Sequence, residues 1–378
     1  MLVYLGICAV LAFVAAVTAA LNAVPSAPTF HIAFAAGAMP LIFGAIIHFV
    51  PVLTRTATPA RAIHYLPFSV QLAGIVTPLG LAGILPGWSL HAAATAAALA
   101  ALILVVWIAR CLRATLGAPH PGARWYGAAL LSLFFAVSLV PVWLAQPELR
   151  AALRLFHLHL NTLGFIGLAA LGTLPVLLPT ALGRPDPMAA ARLRRDLPVA
   201  AGGAVLVAAG AGGGAGLAVC GAVLLLWVVG RNLLAWQKTF GVASIVGAGA
   251  TASLALATLG FTLLLLLGIA HGVGLLPGRP AIASFIAAFL LPLVTGALSQ
   301  LLPVWRHPGK DSAQRRSMRQ HLDRRGRLRA LFFFAGGILL AFDYPDAWVP
   351  VALGLALFAV SLSVAIWLDR SPFSNDNS

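Results

Sequence analysis

Apolar runs about as long as a bilayer is thick recur along the whole of this 378-residue chain, and short connections hold nearly all of its charge. Inside hydrocarbon every backbone N–H and C=O must be paired within the protein, which leaves only helices or a closed barrel. Runs near twenty residues select helices. Hydrophobic residues make up 61% of the chain and charged residues 9%, too few to cover a water-facing surface of this size. The expected fold is therefore an all-α integral membrane protein. Hydropathy places about twelve spans, near residues 2–22, 29–53, 66–85, 91–111, 126–145, 153–179, 198–214, 215–231, 246–272, 282–305, 330–342 and 349–368. The first, MLVYLGICAVLAFVAAVTAALN, lacks a basic leader and reads as a span rather than a cleaved signal. GAGGGAG at 210–216 reads either as a turn between two spans or as a tight packing face.

The formal net charge of +15 raises the question of nucleic acid. Its placement argues for a membrane instead. Basic residues fall on alternate connections: Arg55 and Arg61; Arg110, Arg113 and Arg124; Arg184, Arg192, Arg194 and Arg195; Arg231 and Lys238; then the largest group, Arg306 to Arg329. By the positive-inside rule both termini are expected in the cytoplasm of a bacterial-type inner membrane, with the basic loops facing anionic lipid headgroups. The loop from Arg306 reads as a short interfacial helix, and 371–378 as a disordered cytoplasmic tail. Cys8, Cys111 and Cys220 lie in apolar helices without CxxC spacing and read as packing residues.

Within this pattern one phrase appears three times: MPLIFGAIIHFVPVLTR, GLAALGTLPVLLPTALGR and LPLVTGALSQLLPVWR. His31, Gly44 and Pro51 recur as His159, Gly172 and Pro179, and then as Gly296 and Pro303, with Ala283 in the histidine's place by the same count. A period of one third of the chain implies three copies of a four-helix unit, about 1–125, 126–240 and 241–370, within one polytopic membrane domain. The phrase falls on helices 2, 6 and 10. Its glycine lets neighbouring helices approach closely, and its proline ends the span. Each histidine precedes its proline by roughly 30 Å of helix rise, which puts His31 and His159 at the periplasmic end.

His31, His91, His157, His159 and His271 all fall on the periplasmic half. Imidazole is the protein's commonest metal ligand and a usual axial ligand of haem iron. Interfacial histidines also simply wet their polar edges in headgroups, and both readings stand. His157 and His159 lie roughly 200° apart around an α-helix, so they do not both face one site. The repeat favours His159 as the ligand and leaves His157, on the face of Asn161, as an outer contact. All nine acidic residues lie in loops, at expected helix ends or in the tail. The chain thus lacks the mid-membrane carboxylate of ion-coupled transporters. Phosphate loops, zincin motifs and nucleophile constellations are absent too.

HLHLNTLGFIGLAALGTLPVLLP at 157–179 resembles the His-rich helices of the haem–copper oxidase superfamily, and FHIAFAAGAMPLIFGAIIHFVP at 30–51 is similar. The resemblance extends to twelve helices in three pseudo-equivalent units, a plan like that of subunit I. It implies that His31 takes the role of a low-spin haem ligand and His159 that of a copper ligand. His91, His157 or His271 would complete the site. Three departures matter: helix 10 has no histidine, helix 7 lacks the paired histidines, and Leu163 stands where a tyrosine would follow His159. A competent terminal oxidase or nitric oxide reductase is therefore not expected. The NnrS-like branch is closer: haem- and copper-containing membrane proteins linked to nitric oxide stress. This likeness implies haem b and/or copper as cofactors, and a role in nitric oxide stress or in cofactor handling beside a respiratory-complex partner. The alternative is a cofactor-free permease or assembly partner that keeps the scaffold. A redox enzyme with an unusual ligand set stands third.

Overall fold

The computed structural model describes residues 1–276 and 281–370, so the expected tail at 371–378 lies outside the described residues. Besides a six-residue helix, Val242–Gly247, that precedes the ninth, thirteen helices of eleven residues or more carry the described chain. They are α1 (Leu2–Leu21), α2 (Ser26–Thr54), α3 (Arg61–Leu81), α4 (Trp88–Ala114), α5 (Gly122–Ala145), α6 (Pro147–Ala181), α7 (Ala189–Gly210), α8 (Ala215–Phe240), α9 (Gly249–Gly272), α10 (Ile282–Arg306), α11 (Ala313–Asp323), α12 (Gly326–Ala341) and α13 (Trp348–Arg370). No strand occurs among the described residues. Ten of the helices are long and apolar enough to cross a membrane, which makes this a multi-pass membrane protein. Of the other three, α7 opens on a charged stretch, α12 has 16 residues, and α11 is the short amphipathic helix expected of the basic loop. Ser312 caps α11, and Met318 and Leu322 turn its apolar side inward. Leu11, Val52, Leu72 and Trp227 stand exposed on the flanks, where they meet lipid.

The helices that bear the repeated phrase are the inner ones. In the apolar stretch of each span, 61% of α2, 89% of α6 and 78% of α10 is buried, against 28% to 50% for the other seven. Each inner helix also departs from α geometry at one place. A π-helical segment covers Ile32–Ala38 in α2, Leu160–Gly167 in α6 and Phe285–Leu290 in α10. The surroundings recur with it: α1 and α3 pack on the first segment, α5 and α7 on the second, α9 and α12 on the third. Further contacts join α4 to α5, α8 to α9, and α13 back to α1, so the outer helices close into a ring.

Glycine makes these approaches. A Cβ on Gly44 would sit 2.5 Å from Leu5 Cδ1 of α1, one on Gly172 would enter the Trp125 side chain of α5, and one on Gly296 would lie 2.9 Å from Ser253 Cβ of α9. The phrase's glycine thus serves one purpose in all three copies, contact with the helix that precedes it. Two further glycines let the π segments be reached: Gly74 of α3 lies against the Ala35 carbonyl, and Gly337 of α12 against Ala288.

Three sequence expectations change. Residues 211–214 form the turn between α7 and α8, which settles the choice left open at GAGGGAG. Helix α7 begins at Ala189 rather than near 198, because hydropathy sees the apolar window while the helix continues through the boundary. Asp196 is consequently inside a helix, 2% exposed, with Arg231 of α8 2.8 Å away. Arg329 likewise leaves the basic loop and is fully buried. It donates to Ser299 Oγ at 3.0 Å and to the Leu322 carbonyl at 3.2 Å, and lies 4.7 Å from the centroid of the Phe358 ring. Asp323, whose charge opposes that of Arg329, accepts from the helix-terminal N–H groups of Gly249 and Ala250 at the start of α9.

Two outcomes follow from this packing. Gly74→Leu is expected to lower stability by more than the ~1–3 kcal/mol of ordinary overpacking, because the obstacle is backbone. Gly230→Leu, with nothing within 4 Å of its Cβ position, serves as a neutral control. Thermal unfolding in detergent reads both. The second outcome concerns His120, in the α4–α5 connection, whose Nδ1 accepts the Gly122 N–H at 3.2 Å. Burial, and then Arg194, lower its pKa below 6.5, so folding favours the neutral ring. Its contribution is present in full above the ordinary histidine pKa and is lost as pH falls through the lowered folded value. A pH series from 7.5 to 5 on the wild type and His120→Gln should show that loss shrinking in the variant.

Candidate metal site at the histidine end

His31 ends the α-helical first turn of α2 and His159 ends the corresponding part of α6. The π segment starts at the next residue in each. Both rings make the same bond: Nδ1 meets the carbonyl four residues earlier, Ala27 at 2.7 Å and Leu155 at 2.8 Å. A carbonyl only accepts, so Nδ1 carries the proton, and Nε2 keeps its lone pair for a ligand. The π register also revises the third copy. There Ser284 directly precedes the segment, and so Ser284 rather than Ala283 takes the histidine's place. Its Oγ is buried without a hydrogen-bond partner.

The ring that faces His31 is that of His157. The two centroids are 6.5 Å apart and the planes 24° from parallel. His157 Nδ1 bonds the Ala136 carbonyl of α5 at 2.9 Å, which again leaves Nε2 as the free nitrogen. That carbonyl is at hand because α5 breaks at Leu139, ahead of Pro141, and the last carbonyls of a helical segment lack intrahelical partners. Trp143, just past the break, packs edge-to-face on His157 at 5.0 Å and 87°.

The structure thus brings His31 and His157 together and puts His159, half-buried, on another side of α6. His91, in the first turn of α4, and His271, in the last turn of α9, are both exposed, and His271 Nδ1 lies 3.2 Å from the Leu276 carbonyl. Among the described residues no group of three or more His, Cys, Asp or Glu side chains is arranged to hold a metal ion. Trp143 and the Ala136 carbonyl escaped sequence reading. The only signal for them was Pro141, which ends a helical run and frees carbonyls behind it.

No family model, curated protein or solved structure matches the chain.

The groups that the resemblance implies are a porphyrin and a copper ion. Aromatic side chains fill the interior between α2, α6 and α10: Phe34 packs at a tilt on Phe285 at 5.9 Å, and Phe43 meets Phe165 at 6.3 Å and Phe285 meets Phe289 at 5.0 Å edge-to-face. A porphyrin does not fit among them as packed. The centroid separation of the histidine pair admits a single ion. An ion about 2 Å from each coordinating nitrogen sets two imidazole centroids roughly 6 Å apart, close to the observed separation.

Side chains also compensate the π segments. Gln71 Nε2 of α3 donates to the Ala36 carbonyl at 2.7 Å, Asn161 Nδ2 to the His157 carbonyl at 2.8 Å, and Thr162 Oγ1 to the Leu158 carbonyl at 2.9 Å. Gln71→Leu and Asn161→Leu each leave a carbonyl short of a partner in an apolar setting, and each should cost about 1–3 kcal/mol. Thermal unfolding measures the loss, with Thr180→Val, on the exposed end of α6, as the near-neutral comparison.

Proposed function

We propose that this chain is a metal-binding polytopic membrane protein that resembles the NnrS-like branch of the haem–copper oxidase plan, with copper rather than haem b the cofactor that its histidines fit. The observation that carries the reading is the shared state of three half-buried rings: His31, His157 and His159 each fix Nδ1 on a backbone carbonyl and leave Nε2 free. Such an outer hydrogen bond orients an imidazole ligand and sets its tautomer. The recurrence of the π segment in α2, α6 and α10, with its neighbours in the same order, supports the three-unit plan that the resemblance implies. On this reading the histidine end is periplasmic, both termini are cytoplasmic and the membrane is a bacterial-type inner membrane. The protein then serves in nitric oxide stress, or in handling cofactors beside a respiratory complex.

A second reading, a cofactor-free permease or assembly partner, draws on two observations. Ser284 stands in the histidine's place in the third copy, and phenylalanines fill the core between the inner helices.

Protein purified in detergent from a host supplied with copper and haem separates the two. The first reading expects copper near one per chain by elemental analysis, with the signal reduced in His31→Ala. Colourless, copper-free protein overturns it in favour of the second.

A further inference from the structure

We infer that His31 and His157 form a two-nitrogen clamp for monovalent copper, bridging α2 and α6, and that His159 stands outside it. The inference rests on the metal-binding reading above and narrows it to one ion, one oxidation state and one pair of residues.

Geometry selects the pair. The centroid distance of 6.5 Å suits two rings that share one ion, and their planes lie 24° from parallel. Both Nδ1 atoms are already committed to carbonyls, one on the histidine's own helix and one on α5, so binding needs no change of tautomer. His159 has the same tautomer but is displaced by roughly 200° around α6 from His157, because both residues precede the π segment.

The ligand count selects the oxidation state. Zinc in structural sites takes four ligands, and catalytic sites keep three from the protein. No third His, Cys, Asp or Glu joins the pair among the described residues. Residues 277–280, outside the described residues, are Pro277, Gly278, Arg279 and Pro280, none of them of a ligand type. Monovalent copper, with a filled d shell, is satisfied by two nitrogens in line. Charge points the same way. Both ligands are neutral imidazoles, and the cost of taking an ion out of water grows with the square of its charge. A divalent ion with no carboxylate beside it would carry about four times the desolvation cost of a monovalent one. Trp143, edge-to-face on His157, puts beside that ring an indole, the aromatic group that best tolerates a nearby cation.

The test is an anaerobic titration of detergent-purified, metal-stripped protein with Cu(I) against bicinchoninate, alongside Zn(II) against a chromophoric chelator. One Cu(I) per chain is expected, with weak or no Zn(II) binding. His31→Ala and His157→Ala should lower Cu(I) affinity by more than the roughly 100-fold that loss of an outer-shell contact costs. His159→Ala and His91→Ala should leave it unchanged. His157→Met should restore most of the affinity, since a thioether is a good Cu(I) ligand, and circular dichroism confirms that each variant is folded. Cu(I) binding lost in His159→Ala but kept in His157→Ala overturns the clamp, as does Zn(II) bound as tightly as Cu(I). A copper signal that survives His157→Ala overturns the clamp and leaves the broader reading in place. Protein that binds neither metal nor haem overturns both.

Discussion

A backbone carbonyl that loses its helical partner inside a bilayer has no water to turn to. The inner helices of this protein accept that difficulty at three places, where a π segment takes an extra residue into the turn. Much of the surrounding structure answers it. Gln71, Asn161 and Thr162 supply donors to carbonyls in or just before the wide turns, and Gly74 and Gly337 bring neighbouring backbone close enough to pack against them. The segments survive in the most buried helices because those helices have protein, rather than lipid, around most of their circumference.

The candidate site depends on the same constraint. His31 sits at the last α-helical position before one wide turn, and His157 lies three residues before another. The break in α5 frees the carbonyl that holds His157, and Trp143 follows that break. Nothing in the pair relies on a charged residue. Orientation comes from backbone acceptors, which are fixed by the helices themselves and do not titrate. The charges that the chain does bury, Asp196 with Arg231 and Arg329 near Asp323, lie at the opposite, basic end.

Much of this architecture was legible in the amino-acid sequence, and the reasons for the rest are specific. Apolar length revealed the spans, and the threefold phrase pointed to α2, α6 and α10 as alike, because burial and glycine contacts leave marks on composition. Helix ends that run into the boundary, such as the start of α7 with Asp196, left none, since charged residues are as common in interfacial helix as in loop. The π segments were invisible for a different reason: IAFAAGA, LNTLGFIG and FIAAFL look like any apolar helix, and the extra residue is a matter of register. That register also decided which residue replaces the histidine in the third copy, since counting back from Pro303 lands on Ala283 and counting from the wide turn lands on Ser284. Reasoning from the repeat ranked His159 above His157. Proximity to His31 depends on how α2 and α6 lie against each other, which no spacing within one helix encodes.

The third copy acts as an internal control on the other two. It has the wide turn, the flanking helices and the close glycine, but serine where they have histidine. The backbone deformation therefore does not require an imidazole, or anything bound to one, in order to form. What α2 and α6 display at that position is an attachment to a frame that stands without it, so the frame and its chemistry are free to diverge separately.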